Sequence, residues 1–220
     1  MMLYSHVFVM REIVLDTETT GLSPSAGHRL VDIGCVELID AVATGVTFQR
    51  YINPQRDVPK EAVAVHGLDS SFLQQHPPFD QIAEEFLAFI GNSTLVIHNA
   101  KFDLSFLNAE LQRLDLPPLT NTIVDTVQLA RQKFPGSPAN LDALCKRFQV
   151  DLASRTKHGA IVDAVLLAKV YPALREKNIL QWSQTQTIAT KVYRSARPMR
   201  HFKITEQEER DYISVVKGEL

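Results

Sequence analysis

The chain has 220 residues, of which 45% are hydrophobic and 22% charged, so it can form one generous domain or a domain with a tail. Its formal net charge of −2 excludes attraction of nucleic acid through a global basic field, and such a partner would have to be held locally. Two isolated cysteines exclude a disulfide framework, and no apolar run reaches the length of a membrane span. We therefore expect a cytoplasmic protein with no membrane partner.

The first quarter of the chain has the apolar alternation of β-strands. Strands are predicted over residues 12–16, 30–39 and 45–52, with a tight connection at 40–44. Because the connections are short, we expect an antiparallel meander. Residues 1–10 lack a basic leader and a cleavage site, so they are predicted to be an N-terminal extension rather than a signal peptide.

Helical periodicity alternates with short apolar runs in the next part of the chain. Asn99 and Asn140 are predicted to cap two of the helices. Helices are predicted at 59–65, 79–90, 101–114, 129–134, after Asn140 and at 159–174, and strands at 95–97 and 123–125. Strands followed by alternating strands and helices indicate an α/β fold, with a mixed sheet and helices on both faces.

The composition changes after about residue 178, where Gln, Thr and Ser become frequent. A basic segment and a short amphipathic stretch follow, with little to pack against. We expect residues 11–178 to form the catalytic domain and residues 179–220 to form a tail that is poorly ordered in isolation.

Asp16 and Glu18 stand where the first strand runs into a turn. Side chains at i and i+2 of a strand point to one face, so both acids project together if the strand continues through Glu18. Two adjacent carboxylates raise each other's pKa unless a cation lies between them. Taken alone, the pattern more often marks a solvated acidic turn.

Two further acids occupy unusual positions. Asp103 lies in the first turn of a helix just after a buried strand, where open α/β sheets place their sites, although an acid there also complements the helix dipole. Asp163 lies in an almost wholly apolar helix and is expected to be buried, which requires a partner or a metal. The alternative for Asp163 is a tolerated position at the helix edge.

His158 precedes that helix. A lone histidine is more often structural, but next to a carboxylate–metal centre it suits a general base, because its ordinary pKa lies near neutrality. Four acids without a cysteine–histidine cluster favour Mg²⁺ or Mn²⁺ over zinc. Two such ions, about 3.5–4 Å apart, would suit phosphoryl transfer.

Three motifs occur in order, DTETTGL, VIHNAKFD and HGAIVDA. They resemble the three exonuclease motifs of the DEDDh superfamily, and above all those of the proofreading epsilon-subunit family of bacterial DNA polymerase III. The similarity spans residues 11–175 and includes AVHGLD, NTIVDT and FPGSPANLDAL. The resemblance implies a ribonuclease-H-like fold with a five-stranded mixed sheet, and 3′→5′ removal of nucleotides as 5′-monophosphates with two divalent ions.

The same resemblance assigns roles to individual residues. The residues that match the metal-binding acids are Asp16, Glu18, Asp103 and Asp163, and His158 matches the general base. The positions that match family contacts to the terminal nucleotide or lie beside the scissile region are Glu61, His66, Asn99, Thr17, Thr19 and Leu22, with Glu18 and Asp163 also expected to contact substrate.

The resemblance also implies partners. The substrate would be a single-stranded or frayed 3′ end of DNA, and the tail would tether the chain to the polymerase catalytic subunit. Residues 184–188 resemble either a degenerate sliding-clamp peptide or a plain linker. Two alternatives remain open: an exonuclease of the same superfamily that trims RNA ends or degrades oligonucleotides, and a catalytically inert polymerase scaffold.

Overall fold

A five-stranded mixed sheet is the centre of the structure, a computed structural model that describes residues 10–152 and 158–176. Its strands are β1 (Arg11–Thr19), β2 (Leu30–Ile39), β3 (Val42–Tyr51), β4 (Thr94–Ile97) and β5 (Ile123–Asp125). The spatial order is β3-β2-β1-β4-β5, with β1 to β3 antiparallel and β4 and β5 parallel to β1. The predicted meander followed by parallel strands is confirmed.

Helices cover both faces of this sheet, as predicted. They are α1 (Lys60–His66), α2 (Ser70–Leu73), α3 (Phe79–Ile90), α4 (Ala100–Arg113), α5 (Thr126–Lys133), α6 (Leu141–Arg147) and α7 (Ala160–Arg175). Helices α3 and α4 pack on the face that carries Ile13 and Leu15 of β1. Helices α5 to α7 pack on the opposite face, around Val14 of β1 and Val36 of β2. The short helix α2 and a 3₁₀ turn at Pro24–Ala26 were not predicted.

Several local predictions are wrong, including the start of α5, which begins at Thr126 rather than at residue 129. Strand β3 begins at Val42 rather than at residue 45, because Asp40 and Ala41 adopt φ values of 51° and 64° and close a two-residue hairpin turn. The side chain of Asn99 does not cap α4, since this residue is left-handed with a φ of 67°. Asp125 takes over part of that role from β5, because its Oδ2 accepts a hydrogen bond of 3.2 Å from the amide of Ala100.

Strand β1 extends to Thr19, three residues beyond the predicted end, and this extension places Glu18 within the sheet. In the described part of the chain, no helix is long and apolar enough to cross a membrane. Nearly all of the predicted N-terminal extension and the whole tail lie outside the described residues, so their organisation stays a prediction.

Candidate active site

Strand β1 delivers two carboxylates to the face that α7 covers. Asp16 lies opposite Gly34 of β2, and Glu18 lies opposite Asp32, so the alternation of the strand sends both acids to one side. Glu18 is only 9% exposed, and pairing with β2 becomes irregular directly after it. The expected projection of the two acids to the same face is confirmed.

Helix α7 contributes the third acid and the histidine. Asp163 is 4% exposed in the first turn, and its Oδ2 lies 3.1 Å from Nδ1 of His158, just before the helix. Glu18, His158 and Asp163 each offer one ligand atom, and these atoms lie within 4.8 Å of one another. Residues far apart in the chain therefore meet at a spacing that suits a shared cation.

Asp103 reaches the same place from the opposite face of the sheet. It is buried in the first turn of α4, and its Oδ1 accepts a hydrogen bond of 2.7 Å from the hydroxyl of Thr17. Asp16, Glu18, Asp103 and Asp163 are called the acidic cluster below. Helices on the two faces thus supply one acid each, and β1 supplies the other two.

The acidic cluster carries the electrostatic signature of a cation site. Burial raises the pKa of Asp16 well above its ordinary value, and repulsion by Asp103, Glu18 and Asp163 raises it further. Burial also raises the pKa of Asp103 to about 7, although the hydrogen bond from Thr17 opposes this shift. A divalent cation would offset such repulsion, and oxygen donors suit Mg²⁺ or Mn²⁺, so the residues present fit these ions.

The predicted substrate residues near β1 divide into two kinds. Leu22 is 86% exposed beside the end of β1 and can contact a ligand. The hydroxyl of Thr19 instead donates to the carbonyl of Gly21 at 2.6 Å, and Thr17 is buried against Asp103. The hydroxyls of both threonines therefore donate to oxygens of the protein itself.

The other predicted contacts lie on α1 and before α4. Glu61 and Asn99 are exposed, whereas His66 is buried at the end of α1. The carbonyl of Val65 accepts a hydrogen bond of 3.3 Å from the amide of His158, which brings the end of α1 beside the histidine.

Sequence reasoning missed one buried acid in this region, Asp32 of β2. It is 1% exposed, and burial raises its pKa to about 7. A signal was available, because Asp32 interrupts the apolar run of β2 as Asp163 interrupts that of α7.

Comparison with known proteins gives matches over most of the chain. Residues 13–171 match the family model described as "Exonuclease" (RNase_T). The chain is 55% identical over 170 residues to the DNA polymerase III subunit epsilon of Rickettsia prowazekii (strain Madrid E), covering 75% of this chain and 74% of that protein.

Two solved structures share the fold. The nuclease domain of 3′hExo, a DEDDh family member bound to rAMP, has a TM-score of 0.63 and 17% identity over 81% of this chain and 94% of its own. Exonuclease X in complex with 5′ overhanging duplex DNA has a TM-score of 0.60 and 23% identity over 74% of this chain and 90% of its own. The expected ribonuclease-H-like architecture is thereby confirmed.

Proposed function

Since this chain belongs to the exonuclease family, as a nuclease of the DEDDh type, we propose that it removes nucleotides from the 3′ end of DNA as the proofreading subunit of a replicative polymerase. The observation that carries the proposal is the convergence of the acidic cluster and His158 at one end of the sheet. The 55% identity with an epsilon subunit supports the polymerase assignment.

The acidic cluster would hold two ions of Mg²⁺ or Mn²⁺. When bound, such ions supply Lewis acidity, which offsets the charge that develops on the phosphate as a P–O bond breaks. The protein's own contribution is made at Asp103, where the hydrogen bond from Thr17 lowers a pKa that burial raises to about 7 and so favours the carboxylate that binds a cation.

His158 is the proposed general base. Its side chain is 51% exposed, and Nδ1 faces Asp163 at 3.1 Å, so Asp163 orients the ring. With the proton on Nδ1, the lone pair of Nε2 can accept a proton from water. The water oxygen then attacks phosphorus, the bond from phosphorus to O3′ breaks, and O3′ takes a proton from solvent water. A nucleoside 5′-monophosphate leaves, and the shortened strand ends in a new 3′ hydroxyl.

The substrate end would lie between exposed Leu22 and the end of α1. Few unpaired nucleotides need to be held there, which is compatible with the net charge of −2. A mismatched terminus should be removed faster than a paired one, because an unpaired base leaves the duplex at lower energetic cost.

The proposed reaction is tested with a single-stranded DNA labelled at its 5′ end. Asp16→Asn should abolish Mn²⁺-dependent shortening while the protein stays folded, because the cluster loses a charge at nearly constant shape. Glu84→Gln, which removes an exposed acid from α3, is the matched control and should keep full activity. Wild-type cleavage by Asp16→Asn would contradict the site, and an inactive unaltered protein would favour an inert scaffold.

The nucleic acid preference needs its own measurement. Competition between DNA and RNA oligomers of one sequence should favour DNA. A preference for RNA would instead favour the alternative function, an exonuclease of the same superfamily that trims RNA ends.

The proposed cell compartment is the cytoplasm, in agreement with two buried free cysteines.

The contact with the polymerase is proposed for residues 179–220. The full chain should bind the polymerase catalytic subunit in a pull-down, whereas a chain ending at residue 178 should lose binding and keep nuclease activity. Adding the sliding clamp to the same assay tests residues 184–188. Undiminished polymerase binding by the shorter chain would refute the role of the tail.

A further inference from the structure

Asp32 is a buried acid that the proposed mechanism does not use. Its Oδ2 accepts a hydrogen bond of 3.2 Å from the backbone amide of Ala160, the first residue of α7. The side-chain nitrogen Nε2 of Gln49 on β3 lies 3.4 Å from each of the two carboxylate oxygens of Asp32. These contacts orient the carboxylate toward the start of α7, and the bond to Ala160 links residues 128 positions apart in the chain.

Gly34 brings the same two elements into backbone contact. A Cβ atom at this position would lie 2.3 Å from the carbonyl carbon of Ala160 and 2.3 Å from the amide nitrogen of Ile161. Any side chain would therefore displace the helix. Gly34 and Asp32 are two residues apart on β2 and act on the same turn of α7, so together they form what we call the β2–α7 clamp.

The clamp lies directly across from the acidic cluster. In the β1–β2 ladder Asp32 is opposite Glu18, and Gly34 is opposite Asp16. The amide of Asp163 donates to the carbonyl of Gly159 at 2.9 Å, so the placement of the first turn of α7 determines where Asp163 lies. The gap between the two acids of β1 and Asp163 of α7 therefore depends on how closely β2 holds the helix.

The far end of α7 is held separately. Glu12 at the start of β1 is 2% exposed and accepts hydrogen bonds from the hydroxyl of Tyr171 at 2.6 Å and from Arg175 at 2.9 Å. Loss of the β2–α7 clamp would thus leave α7 attached to the sheet and release mainly its first turn. Because the two ends of α7 are held by separate contacts, a substitution at the clamp can move Asp163 without unfolding the whole protein.

We propose that Asp32 is a positioning residue of the active site, which holds the first turn of α7 against Gly34 and so sets the spacing between Asp163 and Glu18. The inference rests on the proposed function, because the spacing matters for the site assigned there. Asp32 acts through its hydrogen bond to Ala160 and not as a cation ligand, since that bond directs Oδ2 to the helix backbone.

The experiment compares Asp32→Ala, Asp32→Asn and Gly34→Ala with the control Glu84→Gln. Mn²⁺ affinity is measured by calorimetry without DNA, and protection of the Ala160 amide is measured by hydrogen exchange. Asp32→Ala should weaken Mn²⁺ binding and lower kcat by about 10–100-fold, the usual effect of removing a group that orients a metal ligand, while KM for the oligonucleotide stays near that of the unaltered protein. Gly34→Ala should act in the same direction.

Asp32→Asn separates the hydrogen bond from the charge. Its Oδ1 can still accept from the Ala160 amide, so it should recover most of the affinity and amide protection that Asp32→Ala loses. Equal losses in the asparagine and alanine variants would overturn the proposal. So would folded Asp32→Ala and Gly34→Ala variants that lose only thermal stability and keep Mn²⁺ affinity and kcat.

The two proposals fail in different ways. If the unaltered protein cleaves no nucleic acid, the proposed function fails, while Mn²⁺ affinity and Ala160 protection still report on the clamp. If the unaltered protein is active and Asp32→Ala matches it in all three measurements, only the positioning role is refuted.

Discussion

Thr17 donates a hydrogen bond of 2.7 Å from its hydroxyl to Oδ1 of Asp103. Thr17 stands between Asp16 and Glu18 in β1, and strand alternation sends its side chain to the opposite face, where α4 packs. Three consecutive residues therefore serve one site from two sides. The bond also lowers a pKa that burial would otherwise raise further, so it favours the ionised form of Asp103.

Thr17→Val should move metal binding to higher pH. Removing the hydroxyl raises the pKa of Asp103 above about 7, so the carboxylate that binds a cation forms at higher pH. Calorimetric titration with Mn²⁺ at several pH values measures the shift. Thr44→Val is the matched control, because Thr44 donates a comparable hydrogen bond of 2.7 Å to Glu37 away from the site. An unchanged midpoint for Thr17→Val would refute this role.

The metal-free protein should lose stability as pH rises toward neutrality. The folded-state pKa of Asp103 is raised from 3.8 to about 7, so its protonated form stabilises the fold at low pH and this contribution is lost as pH rises through about 7. Between the unfolded pKa of 3.8 and about pH 7, the slope should be steeper than in Asp103→Asn, by up to about 1.4 kcal/mol per pH unit near the middle of this interval.

Urea unfolding in the presence of a chelator measures this slope, and added Mn²⁺ should reduce or reverse it because cations bind the ionised form. Equal slopes for the unaltered protein and Asp103→Asn would show that Asp103 titrates normally.

His158→Ala separates a general base from a cation ligand. We expect kcat to fall by about 10²–10⁴-fold, the usual contribution of general base catalysis, with little change in Mn²⁺ affinity. Single-turnover cleavage and calorimetry give the two quantities. The two quantities need separate measurement because a ring nitrogen of His158 lies close enough to Glu18 and Asp163 to share a cation with them. A parallel loss of affinity and kcat would make the histidine a ligand.

A buried ion pair fixes the loop that follows β1. Arg29 donates two hydrogen bonds of 2.6 and 2.7 Å to the carboxylate of Glu110 on α4, and the glutamate side chain is 4% exposed. Glu110→Gln should destabilise the protein by about 3 kcal/mol, because it leaves the guanidinium of Arg29, only 16% exposed, without its charged partner.

Urea unfolding is the measurement for this pair as well. Glu85→Gln, which breaks the more exposed pair of Glu85 with Arg50, is the control and should change stability by no more than about 1 kcal/mol. Similar effects of the two substitutions would show that burial of the Arg29–Glu110 pair contributes little.

Local pattern sufficed for much of the fold. Strand β2 and helix α3 begin and end where predicted, because a mostly apolar, β-rich run indicates the strand and a 3.6-residue apolar period indicates the helix. The predicted start of β3 was three residues late. A tight hairpin turn is usually indicated by glycine, but here Asp40 and Ala41 adopt the left-handed conformation that closes the hairpin. The register of β2 and β3, in which Ile39 pairs with Val42, leaves only these two residues for the turn.

The acids of the cluster could be found from the sequence, because a carboxylate in an apolar helix or beside a buried strand conflicts with its surroundings. What the sequence alone determined is thus a set of acids placed among apolar residues. Their arrangement came from tertiary packing: the hydroxyl of Thr17 joins Asp103 to β1, and the hydrogen bond from the amide of Ala160 to Asp32 joins the start of α7 to β2. Those contacts join residues 86 and 128 positions apart, a separation at which local pattern carries no information about distance.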